Sequence, residues 1–326
     1  MVAKVLLLGS LLFYCFSTKG QNSAVPVDTT YNTLRVWRQI KTKFPYAYPA
    51  SDSIGADLKS FRQLVYLHIP NTLYGPKNLH LDIFRPNDEA RRTAILWIHG
   101  GGWRSGTKAM DIPMAQLLAR KGYVCIPIEH QLSLEAKYPQ AVLNIKSAIL
   151  WVKEHADEYR IDSNRIVIAG SSAGGQLASL VGLTGGIARF EPDHDSKQST
   201  KIQAIVNLDG VVDFMAPLSL NLERKADAPD VFWLGGTFNE KPSVWKEASP
   251  IFWASEQDKI PMLFINSGFP RFHAGQDELV GMLKRWNTPH EIHTIDVQVH
   301  PFWLFHPWVD TCIEKIDHFL QSVNLK

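Results

Sequence analysis

Short continuous apolar runs alternate along this chain with longer stretches in which apolar positions recur at three- and four-residue spacing. The runs at 94–99, 123–128, 165–169, 202–208 and 261–266 predict strands buried on both faces, the pattern of a parallel sheet. Between them the period changes. Val142, Ile145, Ala148, Ile149 and Val152 fall on one face of a helix that Pro139 opens and that runs to about 159. Further helices are predicted at 114–120, stopped by Gly122, at 175–183, at 277–286 and at 307–323. Residues 64–69 and 79–84 read as paired strands with a Gly75-Pro76 turn between them, and 291–297 as a last strand. The alternation predicts an α/β fold, a mostly parallel twisted sheet with helices on both faces. Residues 214–258 break it. They are rich in aromatics and prolines and are read as a small cap-like excursion over the sheet edge after the sixth strand. Residues 21–60, punctuated by Pro26, Pro45 and Pro49, form an N-terminal extension with a helical segment at 34–43, so 21–326 reads as a single catalytic domain.

Composition adds bounds. A chain of 326 residues with 45% apolar and 20% charged positions can bury a large core. Residues 1–20 have the form of a signal peptide: Lys4, an apolar stretch over 5–16, then Ser17-Thr18-Lys19-Gly20. This predicts a periplasmic or secreted protein. The apolar stretch is short for a membrane span, and Leu12-Phe13-Tyr14-Cys15 lacks the small residues of a lipidation site. Removing residues 1–20 takes away Lys4, Lys19 and no acid, which levels the 34 basic residues against the 32 acidic ones. A level balance gives no global field for nucleic acid or a membrane surface. Of the three cysteines, Cys125 and Cys312 lie beyond the leader and are expected as separately buried thiols rather than a bridge.

The chemistry begins at Gly170-Ser171-Ser172-Ala173-Gly174, a G-x-S-x-G between a strand and a helix. Glycines on either side permit a tight turn that pushes the Ser172 hydroxyl out at the sheet edge. Earlier, His99-Gly100-Gly101-Gly102-Trp103 directly follows a predicted buried strand. Backbone N–H groups of Gly101 and Gly102, with that of Ala173, would form an oxyanion hole.

With both elements in place, residues 64–323 resemble an α/β-hydrolase of the HGGG-bearing esterase group. Leu81-Asp82-Ile83-Phe84-Arg85-Pro86, Tyr138-Pro139-Gln140-Ala141-Val142 and Ala248-Ser249-Pro250 belong to the same likeness. The segments 265–275 and 299–308, which contain Gly268-Phe269-Pro270-Arg271-Phe272-His273 and His300-Pro301-Phe302-Trp303, are similar to bacterial pectin-directed esterases of this fold. The resemblance implies extracytoplasmic hydrolysis of sugar esters, with methyl esters of pectic oligosaccharides as the substrate.

A triad on this fold runs Ser, acid, His. His300 follows the last strand and precedes the closing helix, so it is the expected base, with His306 in reserve. Relatives keep the acid just beyond the strand at 261–266, where this chain has Gly268-Phe269-Pro270-Arg271 and no carboxylate. Asp277 is therefore the working choice, Glu278 being its neighbour. Asp209 and Asp213 after the preceding strand, or a dyad oriented by a backbone carbonyl, stay open. Trp103, Arg104 and Arg271 are the substrate-binding expectations, the arginines as partners of free carboxylates on a polyuronate chain. No H-E-x-x-H pattern or nucleotide motif occurs, so neither a metal nor another cofactor is expected. Acetyl or feruloyl ester hydrolysis on xylan or pectin, a peptidase or small-ester hydrolase, and a non-catalytic carbohydrate-binding relative are the competing readings.

Overall fold

The protein is described by a computed structural model covering residues 25–53, 55–192 and 196–326. The signal peptide expected at 1–20 lies outside these residues.

Eight strands form one sheet: β2 (Leu58–Ile69), β3 (Lys77–Pro86), β4 (Arg92–Ile98), β5 (Val124–Ile128), β6 (Ile161–Ser171), β7 (Ala204–Leu208), β8 (Met262–Asn266) and β9 (His290–Thr294). Their spatial order is β2-β3-β5-β4-β6-β7-β8-β9. β2 pairs antiparallel with β3, and β3 with β5; every later pairing is parallel. Alternate side chains of the central strands feed two cores. Ala94, Leu96 and Ile98 with Ile166 and Ile168 face one side, where they meet Val142, Ile145, Leu177 and Leu180. Ile95 and Trp97 with Val167 and Ala169 face the other, where they meet Leu118, Val309 and Ile316. The first layer is α3 (Gln140–Glu154) and α4 (Ala173–Leu183), the second α2 (Ile112–Arg120) and α9 (Trp308–Ser322). This is the α/β-hydrolase fold.

Several predicted strands have different bounds. β2 starts earlier than its apolar stretch and β3 extends beyond its own; β2 is the edge strand and pairs through its backbone with part of its length facing water. β9 stops at Thr294: the Val297 carbonyl instead accepts from Gly268 N at 2.9 Å, which bends the chain across the sheet end toward His300.

Between β7 and β8 lie three short helices, α5 (Pro217–Leu220), α6 (Pro229–Leu234) and α7 (Pro242–Glu247), each with proline in its first turn, where the missing N–H costs nothing. Trp233 and Trp245 anchor the segment in the core. The N-terminal extension contains α1 (Thr33–Ile40), capped by the Asn32 side chain on Arg35 N, and β1 (Tyr48–Pro49), which pairs with β10 (Phe305–His306). Upstream of α1, Asp28 forms a parallel bridge with Ser105. Between β8 and β9 sits α8 (Gln276–Arg285). Cys125 and Cys312 are both free and buried. Among the described residues no helix is long and apolar enough to cross a membrane.

Candidate active site

β6 ends at Ser171 and α4 begins at Ala173, so Ser172 must turn the chain alone, and it does so at φ +54°, ψ −121°. A positive φ in a non-glycine residue is strained, and the surroundings hold it. Ser172 N donates to the Leu208 carbonyl at 2.7 Å. A Cβ at Gly170 would collide with the Gly174 carbonyl, and one at Gly174 with that of Ile98. These glycines let strand, turn and helix close on one another, leaving the serine hydroxyl at the rim.

There it meets His300. The Ser172 hydroxyl lies 2.8 Å from Nε2, and Nδ1 lies 2.9 Å from Oδ2 of Asp209. With the Nδ1 proton directed at the carboxylate, the Nε2 lone pair is free to accept from serine. Phe272 lies parallel to the imidazole at 3.4 Å between centroids, and Trp303 meets it edge-on at 5.2 Å. The ring is clamped between them, with 21% of its side chain exposed toward the cavity. Burial holds the imidazole below its ordinary pKa, against the Asp209 carboxylate, which raises it; Arg271 and His273 lower it further. Asp209 is 1% exposed. Burial alone would raise its pKa, but hydrogen bonds from His273 and His300 and the nearby imidazole hold it below the usual carboxylate value. Its Oδ1 accepts from Ser267 N at 2.7 Å and lies 3.3 Å from His273 Nε2.

The carboxylate on His300 is therefore Asp209, and the choice of Asp277 is corrected. Asp277 is exposed in the first turn of α8, where its charge favours the helix N-terminus; Glu278 is beside it. Asp213 accepts from Met215 N at 2.7 Å in its own turn. His306 stacks on Tyr48 and pairs with Asp310 at 2.7 Å on α9.

A cavity of about 460 Å³ opens over Ser172, within the range of small-molecule sites. Gly101, Gly102 and Ala173 line it beside the serine. The glycine loop is folded on itself: Ser105 N donates to the Gly101 carbonyl at 3.0 Å, and a Cβ at Gly101 would overlap Ser105 O. Trp103 is one wall, stacked on Trp233 at 4.9 Å and donating from Nε1 to Gln176 at 2.9 Å. Arg271 stands exposed at the rim with its guanidinium 4.3 Å from the Phe272 ring centre.

Arg104 is a second correction. It does not line the cavity; its Nε pairs with Asp28 at 3.0 Å and its guanidinium lies over Phe232 at 5.2 Å. In its place the excursion supplies Arg224, whose Nε binds Asp230 at 2.6 Å and whose Nη2 donates to Ser219 at 3.0 Å. Tyr31 closes another side, its hydroxyl pKa raised by burial and by the charge of Asp111. Neither residue carries a motif. The clue available in the sequence to Arg224 was its place in the excursion, and to Tyr31 its place before a capped helix. Among the described residues no group of three or more His, Cys, Asp or Glu side chains is arranged to hold a metal ion.

Known proteins resemble this chain in sequence or in fold. Esterase LipC of Mycobacterium tuberculosis is 29% identical over 209 residues, 63% of this chain and 52% of LipC. The probable carboxylic ester hydrolase LipM of the same organism is 39% identical over 145 residues, 43% of this chain and 33% of LipM. The chain thus spans about half the length, or less, of the curated relatives it matches. A truncated carbohydrate esterase from gut microbiota superposes with a TM-score of 0.66 at 22% identity, covering 85% of this chain and 99% of its own. The acetyl ester-xyloside bifunctional hydrolase of Caldicellulosiruptor lactoaceticus gives 0.64 at 21%, covering 76% and 89%. At such identities these two structures speak for the fold. The sequence profile of the BD-FAE family matches residues 81–282, more than half of the chain and the part that holds Ser172 and Asp209, so the chain belongs to the BD-FAE family.

Proposed function

We propose that this chain is an exported serine carboxylic-ester hydrolase acting on esterified plant cell-wall polysaccharide, with pectin methyl esters as its first substrate. The observation that carries the hydrolase reading is the continuous relay from the strained Ser172 through His300 to the buried Asp209. In this reading His300 Nε2 takes the hydroxyl proton as Ser172 Oγ attacks the ester carbonyl. The oxyanion forms against the backbone N–H groups of Gly101, Gly102 and Ala173. His300 then returns the proton to the leaving alcohol. A water enters, gives a proton to the same nitrogen and bonds the acyl carbon; as the bond to Ser172 Oγ breaks, His300 returns that proton to Oγ and the acid leaves. Asp209 stays ionised and stabilises the imidazolium that forms twice in the cycle.

The methyl-uronate preference rests on Arg271 at the cavity rim, where a guanidinium would pair with a free carboxylate on a neighbouring sugar. Acetylated sugar is the second reading, supported by the acetyl ester-xyloside hydrolase among the structural neighbours. Labelling with a fluorophosphonate that is lost in Ser172→Ala tests the nucleophile; an unlabelled, folded wild type would sink the hydrolase reading. Product analysis on methylated and acetylated oligosaccharides separates the two esters. Methanol release supports the first, and acetate without methanol overturns it. Export rests on residues 1–20 and is tested by fractionating cells that make the full chain.

A further inference from the structure

From Tyr31 on the cavity wall the chain runs through α1 to Tyr48 with an unusual charge pattern. Arg35, Arg38, Lys41 and Lys43 occur there, and no acid lies between Asp28 and Asp52. Val36, Trp37 and Ile40 turn inward to the core, which leaves the four cations exposed. Several exposed cations elsewhere are paired, as in Arg91–Asp157, Arg120–Asp57 and Arg160–Glu89. Among the described residues none of these four is in an ion pair.

The same surface carries bare aromatic rings. Tyr46 is 58% and Tyr48 57% exposed, the only aromatic side chains described that are more than half exposed, while Ala47 between them is 3% exposed. Tyr46 in the turn and Tyr48 at the start of β1 are thus both exposed on either side of the buried Ala47. The arrangement is held from below. Trp37 Nε1 donates to the Ala47 carbonyl at 3.2 Å, β1 pairs with β10, and Tyr48 stacks on His306 at 4.9 Å. Lys41 lies over the Trp37 ring at 5.1 Å and Lys43 over Phe44 at 5.4 Å; Phe44 in turn meets Tyr46 edge-on at 6.2 Å. Ammonium groups and tyrosine faces therefore form one contiguous patch.

We propose that this patch is a second carbohydrate-binding surface, one that holds an anionic polyuronate chain outside the catalytic cavity. The tyrosine faces take the apolar sides of sugar rings, and the unpaired cations take the carboxylates. Charge complementarity selects this occupant: the surface is cationic on a chain whose overall charge is nearly balanced. The class of ligand rests on the function proposed above, whereas the surface does not.

The test uses the full chain as Ser172→Ala, so that polymer is not consumed, in affinity electrophoresis through fully de-esterified polygalacturonate and through neutral xylan. Retardation by polygalacturonate alone, abolished by high salt, is expected. Tyr46→Ala/Tyr48→Ala and Lys41→Gln/Lys43→Gln should each weaken it about tenfold. The same pairs in the active chain should leave hydrolysis of a small aryl ester unchanged, which shows that they fold. Unaltered retardation in both pairs would overturn the proposal, as would equal retardation by xylan. Binding to anionic phospholipid vesicles with none to polygalacturonate would reassign the patch to a membrane and overturn it too. A wild type that hydrolyses no ester would sink the hydrolase reading and leave this binding result standing.

Discussion

The ends of β7 and β8 lie side by side and serve one carboxylate in different ways. Past β7 the chain places Asp209 at φ +49°, buried beneath His300. Past β8 it places Ser267, whose backbone N–H donates to Oδ1 of that same Asp209, and then His273, whose Nε2 lies 3.3 Å from the same oxygen. One strand end contributes the charge; its neighbour contributes the groups that keep the charge ionised in a buried place. A buried carboxylate without such partners would be protonated, and the imidazole above it would lose its orientation. Moving the acid by one strand is thus tolerated because both strand ends face the same ring.

The sharpest way to break this comparison is to remove charge from one end and then from the α8 start. Asp209→Asn should lower kcat on a small ester by about four orders of magnitude, because the asparagine stabilises the wrong imidazole tautomer. Asp277→Asn should leave kcat unchanged. Steady-state kinetics of the two variants side by side decide it, and a large loss in the second would restore Asp277.

His273→Gln probes the other strand end. Loss of a hydrogen bond to a charged group costs about 1.5–3 kcal/mol at good geometry, and this one is long. A fall in kcat of roughly tenfold is expected, with KM little changed.

The pH profile sharpens the picture further. Catalysis needs neutral His300, and burial lowers its pKa. The acid limb of kcat/KM should therefore lie below the ordinary imidazole value of about 6.5, activity persisting as pH falls past that point and disappearing at the depressed value. Arg271→Gln removes a nearby positive charge, so the limb should move up; a downward move would contradict the assignment. Asp209 adds a stability effect of its own. Its folded pKa is depressed, so its contribution is in place above about pH 4 and is lost as pH falls through the folded value, which acid unfolding of wild type against Asp209→Asn would record.

The smallest effect is expected at Asp28→Asn. A partly exposed ion pair contributes at most about 1 kcal/mol, so kcat should fall about two- to threefold through a looser glycine loop.

The layout was legible in the sequence wherever local pattern dictates structure. Buried runs such as 94–99 and 165–169 could only be interior strands, and the glycines around Ser172 mark a turn that other residues do not fit. His300 was legible because the chain offers few positions between a last strand and a closing helix. The acid was not, since distance along the sequence favours neither Asp209 nor Asp277: what decides is that β7 neighbours β8 in space. Arg104 was misread for a related reason. Its partner Asp28 lies in the extension, and no periodicity relates two residues so far apart. Arg224 and Tyr31 enter the cavity from segments whose path no repeat pattern predicts.

That extension also ties the two sides of the site together. Asp28 holds Arg104 and Ser105 in the glycine loop, and farther along Ala50 N donates to the Leu304 carbonyl at 2.9 Å while β1 pairs with β10, just beyond His300. The oxyanion side and the base side are thus stitched by one stretch of chain that lies outside residues 81–282. Trimming the amino terminus past Asp28 would act like an active-site mutation made from a distance, loosening the glycine loop while leaving the residues of the relay untouched.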